Sequence, residues 1–349
     1  MKRMLVLLTM ALFLMTAGAG HAITGGPFGS WLVLEGNTTP AGAGHGYVEI
    51  AHHAALNPTG AITIELWVKL ATPFTGQTCR SLVGKDFTQA YWVGVCGSTV
   101  RAYLKGGGSS HDGGTIPENI WTHVAVVFNG TDQLHYINGV QVGSFPLAGP
   151  LTTSPDPVRI GSDVSWQYSP AGALDEVRLW NVARTAAQIQ SGMNSAITTA
   201  QTGLVAVWAL DGTGEDVIGG YDGSLNGTFS FDTFPAPPAG PWLTTSELPG
   251  FRFKVRISGS LLGEKVNDCI TETLCVSGAL PGRSEVFVRV VGPRPNGYLW
   301  PILVKFTPSQ VEVWIEQLST GQINYYELEG AAPDNDVLPG LFDRTGFLP

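Results

Sequence analysis

Charged residues are scarce in this sequence. They make up 13% of the 349 residues, about half of the roughly 25% that is usual in soluble domains. Acidic side chains (28) outnumber basic ones (19), which gives a formal net charge of −9. Because no basic excess is available to neutralise phosphates, we exclude nucleic acid as the main partner. The low content of Lys and Glu also leaves few good helix formers, and this favours a β-rich protein.

Long apolar runs are lacking as well, except at the N-terminus. No later stretch reaches 18 uninterrupted apolar residues, so we expect no membrane span there. In the first 22 residues, Lys2 and Arg3 precede the apolar run 4–15, and small residues lead up to Ala22. This order is typical of a signal peptide (residues 1–22) that is cleaved after Ala22, with an uncleaved membrane anchor as the alternative. We therefore expect a secreted protein, extracellular or periplasmic.

Cysteine is rare, with four residues in the chain. They lie in two pairs that are close in sequence, Cys79 with Cys96 and Cys269 with Cys275. The first pair flanks two strand-like runs that a hairpin would bring together, and the second would close a small loop. Export places these thiols in an oxidising compartment, where we predict two disulfide bonds. Zinc is the alternative, but the sequence has no CxxC pair and no neighbouring histidines at ligand spacing.

Glycine and proline, by contrast, are abundant, with 45 and 23 residues, and they indicate many turns between short strands. A Pro-rich stretch at 234–245 predicts a stiff linker. We therefore divide the chain that follows the signal peptide into a first domain at 23–233 and a second domain at 246–349. The six histidines that follow the signal peptide all precede residue 136, which agrees with two regions of different composition.

Local patterns predict how the first domain folds. Asn129-Gly130 and Asn138-Gly139 are strong hairpin signals, and the largely apolar run 121–128 is typical of a buried strand. One helix is predicted from the capping box that begins at Thr185, and it should end near Asn194. Short strands spaced by turn signals indicate an antiparallel sandwich or barrel.

Several blocks of the first domain carry a more specific pattern. They include Tyr136-Ile137-Asn138-Gly139 and Leu174-Asp175-Glu176-Val177, within a series at 47–60, 116–128, 136–139, 160–162, 172–185 and 203–211. In this order they resemble the laminin-G-like (concanavalin-A-like) jelly-roll family over roughly residues 30–232. The resemblance implies two curved antiparallel sheets packed face to face. The expected fold class is all-β, with this jelly-roll sandwich followed by a second, small β-sandwich-like domain of no family that we can name.

One strand-like run of the second domain, 251–257, alternates strictly between apolar and basic residues, so its two faces lie in different environments. The basic positions are Arg252, Lys254 and Arg256. We expect them to pair across strands with carboxylates such as Glu312 and Glu316, and anion binding is the alternative. Trp314 shares a strand face with these two glutamates and is therefore expected to be exposed.

The resemblance also implies candidate binding residues. Domains of this family often hold a structural Ca²⁺ through carboxylates and backbone carbonyls, and Asp175 is the best candidate ligand, with Glu35 as a second. The alternative is that both carboxylates only hydrogen-bond to nearby backbone. Exposed aromatic rings often stack on sugars, and Trp166, Tyr168 and Tyr221 lie in loop-like segments. The Trp residues in strand blocks are expected in the core, namely Trp67, Trp121, Trp180 and Trp208.

The sequence lacks a catalytic pattern. Glu-x-Asp-x-x-Glu, which would align glycosidase carboxylates on one strand face, does not occur, and neither does Gly-x-Ser-x-Gly. We therefore predict a non-enzymatic, exported binding or adhesion protein whose first domain recognises a glycan or an extracellular protein surface. The alternatives are a carbohydrate-active enzyme with dispersed carboxylates and a purely structural surface protein.

Overall fold

The structure is a computed structural model. It describes residues 29–71, 78–106, 110–234, 237–244, 248, 250–257, 260–262, 274–276, 286–291, 300–305, 311–318, 323–328 and 341–342. The signal peptide that the sequence predicts lies outside these residues. So does Cys269, and with it the expected bond between Cys269 and Cys275.

The first domain is built almost entirely from β-strands. They are β1 (Ser30–Glu35), β2 (Tyr47–Ile50), β3 (Ile62–Leu70), β4 (Cys79–Gly84), β5 (Trp92–Cys96), β6 (Thr99–Tyr103), β7 (Ser110–Thr115), β8 (Thr122–Phe128), β9 (Asp132–Ile137), β10 (Val140–Pro146), β11 (Val158–Ile160), β12 (Ala171–Trp180), β13 (Leu204–Trp208), β14 (Gly223–Asn226) and β15 (Phe229–Thr233). A 3₁₀ turn at Ala54–Leu56 and one helix, α1 (Ala186–Gly192), complete the described elements.

The strands form two antiparallel sheets. The eight-stranded sheet has the order β10-β9-β8-β3-β12-β1-β15, with β13 added to β12, and the seven-stranded sheet has the order β14-β2-β11-β4-β5-β6-β7. Neighbours far apart in sequence, such as β3 beside β12, give the crossed connections of a jelly roll. The two-residue hairpin between β9 and β10 places Asn138 and Gly139 at positive φ, as this turn requires. The predicted fold class is confirmed.

The core lies between the two sheets. It combines inward-facing residues of the eight-stranded sheet, such as Leu32, Ile64 and Leu66, with those of the seven-stranded sheet, such as Val48 and Val93. The strand-block tryptophans that the sequence assigns to the interior, namely Trp67, Trp121, Trp180 and Trp208, are each at most 3% exposed. That assignment is therefore confirmed.

The outer face of the eight-stranded sheet is covered by helix α1 and the segment after it. Thr185 caps the helix, and the reciprocal bonds between Thr185 and Gln188 complete the predicted capping box. Ile189 packs on strands β8 and β9, while Met193 packs among the indole rings of Trp31, Trp67 and Trp121. Strands β3 and β8 are consequently buried on both faces.

A buried ion network, formed by Glu65, Glu176, Arg178 and Arg184, lies under this cover. Glu65 Oε1 accepts a hydrogen bond from Arg184 Nη1 at 2.6 Å, and Glu176 Oε2 accepts one from Arg178 Nη2 at 2.7 Å. Arg178 also donates to two backbone carbonyls in the segment 192–195. The network therefore ties the segment after α1 to the sheet.

The C-terminal region contains two further antiparallel sheets. One has five strands, β16 (Leu243–Thr244), β17 (Phe251–Ile257), β18 (Ser260–Leu262), β22 (Val311–Gln317) and β23 (Ile323–Leu328). The other has four strands, β19 (Leu274–Val276), β20 (Val286–Val291), β21 (Trp300–Lys305) and β24 (Leu341–Phe342). None of the helices in the described residues is long and apolar enough to span a membrane.

The cross-strand pairing with carboxylates that was expected between β17 and β22 is confirmed for Arg252 and Arg256, whereas Lys254 lies opposite Trp314 and donates to the carbonyl of Pro238 instead. Arg252 binds Glu316 through two hydrogen bonds of 2.8 Å, and Arg256 binds Glu312 in the same manner. The expectation that Trp314 is exposed is wrong, since this side chain is only 1% exposed.

The segment that precedes β17 explains why Trp314 is buried. The carbonyl of Pro238 accepts a hydrogen bond from Lys254, and the Trp242 ring lies 4.6 Å from the Arg252 guanidinium. The ring of Tyr325, next to Trp314, contacts Phe234. The strand face that carries the charges is thus covered by described residues of the segment 234–242.

Candidate functional site

A pocket opens on the outer face of the seven-stranded sheet. It has a volume of about 210 Å³, and its described lining is Cys79, Phe87, Trp92, Arg101, Tyr103 and Trp166. Strand alternation creates it, because Val93, Val95, Val100 and Ala102 point into the core and leave the intervening side chains of β5 and β6 on the outside. We call this feature the aromatic pocket.

Trp92 forms the floor of the aromatic pocket. Its side chain is 2% exposed, and its indole Nε1 donates a hydrogen bond to Ser81 Oγ at 2.8 Å. The indole lies over Gly94, where an added Cβ would come within 2.2 Å of Trp92 Cζ2 and 2.3 Å of the Arg80 carbonyl oxygen. A side chain at position 94 would therefore displace the floor.

The walls of the pocket are three half-buried rings. The Phe87 centroid lies 5.8 Å from the Tyr103 centroid and 5.8 Å from the Trp166 centroid, and Tyr103 lies 5.6 Å from Trp92. These edge-to-face contacts fix the rings against one another. The Trp166 indole is held in addition by a hydrogen bond of 2.9 Å from its Nε1 to the Cys79 carbonyl.

A disulfide bond closes one end of the pocket. Cys79 and Cys96 lie directly opposite each other on β4 and β5, with Cα atoms 4.1 Å apart, and their sulfurs are bonded as the sequence predicts. The Cys79 carbonyl also accepts the hydrogen bond from Trp166. The disulfide bond therefore stabilises the backbone that positions the Trp166 ring.

Arg101 forms the polar side of the pocket and is held in an ion pair by Asp112. Arg101 Nε donates to Asp112 Oδ1 at 2.6 Å, and Arg101 Nη2 donates to Asp112 Oδ2 at 2.8 Å. The hydrogen bond to Asp112 raises the pKa of Arg101, and the hydrogen bond from Arg101 lowers the pKa of Asp112. Both shifts favour the charged forms of the two groups, so the pair is ionic at neutral pH. Their side chains are 31% and 48% exposed, so water and ligands reach them.

Two buried carboxylates hold the loops that carry the walls. Asp86 accepts hydrogen bonds from the Thr88 hydroxyl at 2.6 Å and from the Ser165 hydroxyl at 2.9 Å. Asp163 accepts one from the Ser165 backbone N–H at 2.9 Å. Burial raises the pKa of Asp163 to about 6, partly offset by the backbone N–H groups of Ser165, Phe87 and Asp86. Asp163 thus contacts both loops that contribute a wall.

The structure places the three predicted stacking residues differently. Trp166 lines the pocket, and Tyr168 lies beside it with ring centroids 5.2 Å apart, next to the Arg80 guanidinium. Tyr221 lies elsewhere, against His53 at 4.9 Å. Sequence reasoning missed Phe87, Trp92, Tyr103 and Arg101. The alternation of β5 and β6 was the available signal, since it places Trp92, Arg101 and Tyr103 on the face opposite to the core.

The two predicted calcium ligands do not share a site. Glu35 is exposed at the end of β1 and pairs with Ala171, whereas Asp175 is fully buried four residues further along β12. At about 3.3 Å per strand residue they are ~13 Å apart, too far for one ion. Among the described residues, no three His, Cys, Asp or Glu side chains converge as ligands. Calcium binding at either residue stays a prediction, and melting curves with Ca²⁺ and with EDTA would test it.

Comparison with known families agrees with this geometry. Residues 42–190 match the family model of the concanavalin A-like lectin/glucanases superfamily. The resemblance inferred from the sequence is therefore confirmed for this part of the first domain. No curated protein matches the chain significantly.

Several solved structures are similar to the chain. A candidate carbohydrate-binding protein from Bacteroides ovatus is 19% identical, with a TM-score of 0.49 over 61% of this chain and 62% of that one. A SAP-like pentraxin from Limulus polyphemus is 14% identical, with a TM-score of 0.41 over 58% and 94%. Domain 4 of an extracellular arabinanase from Geobacillus stearothermophilus, solved with arabinotriose, is 22% identical, with a TM-score of 0.34 over 50% and 80%. The chain spans less than two thirds of the first of these proteins, and at such values the similarities do not indicate a function.

Proposed function

We propose that the first domain binds carbohydrate and that one sugar ring occupies the aromatic pocket. The observation that carries this proposal is the combination of ring faces and hydrogen-bond donors around a single cavity. Trp166, Phe87 and Tyr103 offer apolar surface for the C–H face of a sugar, while Arg101 and the Tyr103 hydroxyl offer partners for its hydroxyl groups. A cavity of about 210 Å³ is small for a ligand site, so the remainder of a longer glycan would lie along the open sheet face.

A binding role without catalysis is part of this proposal. None of the six described lining residues is Asp, Glu or His, whereas glycoside hydrolysis needs two carboxylates about 5 to 10 Å apart at the bond. Asp86 and Asp163, both at most 2% exposed, lie behind the walls and do not line the cavity. Release of reducing sugar from any polysaccharide by the purified protein would contradict this part of the proposal.

The test of carbohydrate binding is a glycan array followed by calorimetric titration of the best ligand. Trp166→Ala removes one wall and should weaken binding about tenfold to a hundredfold, as loss of a stacking ring does. Trp242→Ala is the matched control, because Trp242 is also half-buried and lies near a guanidinium, at 4.6 Å from Arg252, but far along the chain from the pocket. Equal affinities of both variants and the wild type would overturn the proposal, as would an array without any bound glycan.

Export is the second part of the proposed function. The basic and apolar N-terminal segment supports it, and the disulfide bond between Cys79 and Cys96 is compatible with an oxidising compartment. Expression of the full chain in a secreting host should yield a mature protein that begins at Ile23. N-terminal sequencing of the recovered protein checks this, and a retained residue 1 would contradict it.

A further inference from the structure

We propose that Asp112 makes the aromatic pocket selective for neutral sugars and against acidic ones, by occupying the guanidinium of Arg101. This inference rests on the proposed function and adds the charge class of the ligand. Arg101 is the one cation among the described residues that line the cavity, so its state decides how the pocket responds to a ligand carboxylate.

The geometry of the pair is the first argument. A guanidinium binds a carboxylate best through two parallel N–H groups, and this fork is the reason that Arg recognises anionic ligands. In Arg101 the Nε and Nη2 atoms already hold both oxygens of Asp112, at 2.6 and 2.8 Å. A uronic or sialic acid would have to displace Asp112 to use the same fork.

The remaining donors of Arg101 suit hydroxyl groups. Arginine has five N–H groups, and the fork to Asp112 uses two of them. Nη1 donates a long hydrogen bond to Cys79 Sγ at 3.9 Å, and the Tyr103 side chain also hydrogen-bonds to Arg101, so at least one N–H group is left for a ligand. Single N–H groups of this kind donate well to the hydroxyl oxygens of a neutral sugar, for which no fork is needed.

Charge is the second argument. The carboxylate of Asp112 cancels the positive charge of Arg101 within the pocket, so an anionic ligand finds no uncompensated cation there. It would also approach a chain with a net charge of −9, which disfavours association with anions. Rejection of the wrong ligand by a fixed like charge is a common source of specificity.

Stability does not account for the pair. Both side chains are partly exposed, and ion pairs at such positions contribute only ~0 to 1 kcal/mol. Strand register sets Asp112 opposite Arg101, but it does not require a carboxylate at that position. Asp112 is thus a positioning and specificity residue, whose effect should appear in ligand preference and not in folding.

The experiment compares the wild type with Asp112→Asn. Both are titrated with the neutral oligosaccharide found on the array and with its counterpart in which one ring carries a carboxylate. We expect the wild type to bind the neutral ligand at least about tenfold more tightly. In Asp112→Asn, the freed fork should improve binding of the acidic ligand by about tenfold or more, while binding of the neutral ligand changes about threefold at most.

Two further variants separate the causes. Glu49→Gln removes one negative charge from the same sheet face, where Glu49 pairs with Arg159 at 2.7 Å, and it should leave the preference unchanged. Arg101→Gln combined with Asp112→Asn should abolish the gain for the acidic ligand. Melting temperatures of all variants confirm that each is folded.

The outcomes distinguish this inference from the proposed function. If the wild type prefers the acidic ligand, or if Asp112→Asn leaves the preference unchanged, the role of Asp112 is overturned while carbohydrate binding stands. The same holds if Glu49→Gln alters the preference as much as Asp112→Asn does, because net charge then explains the effect. If no saccharide binds, both the function and this inference fail.

Discussion

The outer faces of the two sheets of the first domain differ in how far they are covered. The eight-stranded sheet is covered by helix α1, a tryptophan cluster and the buried ion network, and its Glu65 is fully buried. The described residues leave the outer face of the seven-stranded sheet open around Arg101 and Asp112, whose side chains are 31% and 48% exposed. Similar residue types therefore serve stability on one face and, in the proposed function, recognition on the other. Burial, and not residue type, separates the two roles.

The largest expected effect concerns the covered face. Glu65→Gln removes the charge that compensates Arg184 and leaves a buried guanidinium without a charged partner. The free energy of unfolding should therefore fall by about 3 to 5 kcal/mol. Urea denaturation measures this loss. The open-face control, Glu49→Gln, breaks a partly exposed pair and should cost no more than ~1 kcal/mol. Equal losses for the two variants would break the comparison between the faces.

Removal of the disulfide bond should have the next largest effect. This bond lies on the open face, and it stabilises the fold as well as the pocket. Replacing Cys79 and Cys96 by Ser opens a loop with a sequence separation of 17, which should lower the free energy of unfolding by about 3 kcal/mol. Because Cys79 carries the hydrogen bond to Trp166, ligand binding should weaken in the folded fraction too. Titration well below the melting temperature tests this, and unchanged affinity would show that the cross-link does not support the pocket.

The third prediction is a pH dependence at Asp163. Its pKa of about 6 lies above the ordinary aspartate value of 3.8, so the ionised carboxylate destabilises the fold above pH 6 and protonation relieves this penalty as the pH falls towards 4. Asp163→Asn should therefore be more stable than the wild type by about 2 kcal/mol at pH 7.5, with the difference disappearing near pH 4. The exposed Asp232→Asn is the control. A gain for Asp163→Asn that does not change with pH would contradict this account.

The smallest effect is expected at the cap of helix α1. Thr185→Ala removes the hydroxyl that accepts the Gln188 N–H and should lower stability by about 1 kcal/mol. Thr185→Ser keeps the hydroxyl and should behave as the wild type. Since the helix lies on the covered face, both variants should bind ligand normally, and loss of binding in Thr185→Ala would indicate coupling between the two faces.

Much of the fold could be predicted from the sequence because the signals are local. The Asn138-Gly139 turn and the capping box at Thr185 depend only on neighbouring residues, and both occur as expected. The order of sequence blocks then indicated the jelly roll. The disulfide bond between Cys79 and Cys96 could be predicted for the same reason, because one hairpin joins the two strands that carry these residues.

The aromatic pocket was harder to predict because three separate segments build it. Phe87 follows β4, Trp92 and Tyr103 lie on β5 and β6, and Trp166 comes from a loop far along the chain. Sequence alternation separates two faces of a strand, but it does not tell which face another segment covers. For the same reason the burial of Trp314 was missed, because Pro238 and Trp242 cover its charged strand face. The sequence pattern indicates which segments form strands, but it does not indicate which distant segment packs on each strand face.

Gly94 offers a simple way to recognise relatives that share this pocket. The Trp92 indole occupies the space that any side chain at position 94 would need, so the floor exists only where residue 94 lacks a Cβ. A homologue that keeps tryptophan at the first position of β5 but carries alanine two residues later must place its indole elsewhere. This Trp-x-Gly spacing is thus a three-residue marker that separates homologous chains with such a floor from those without one.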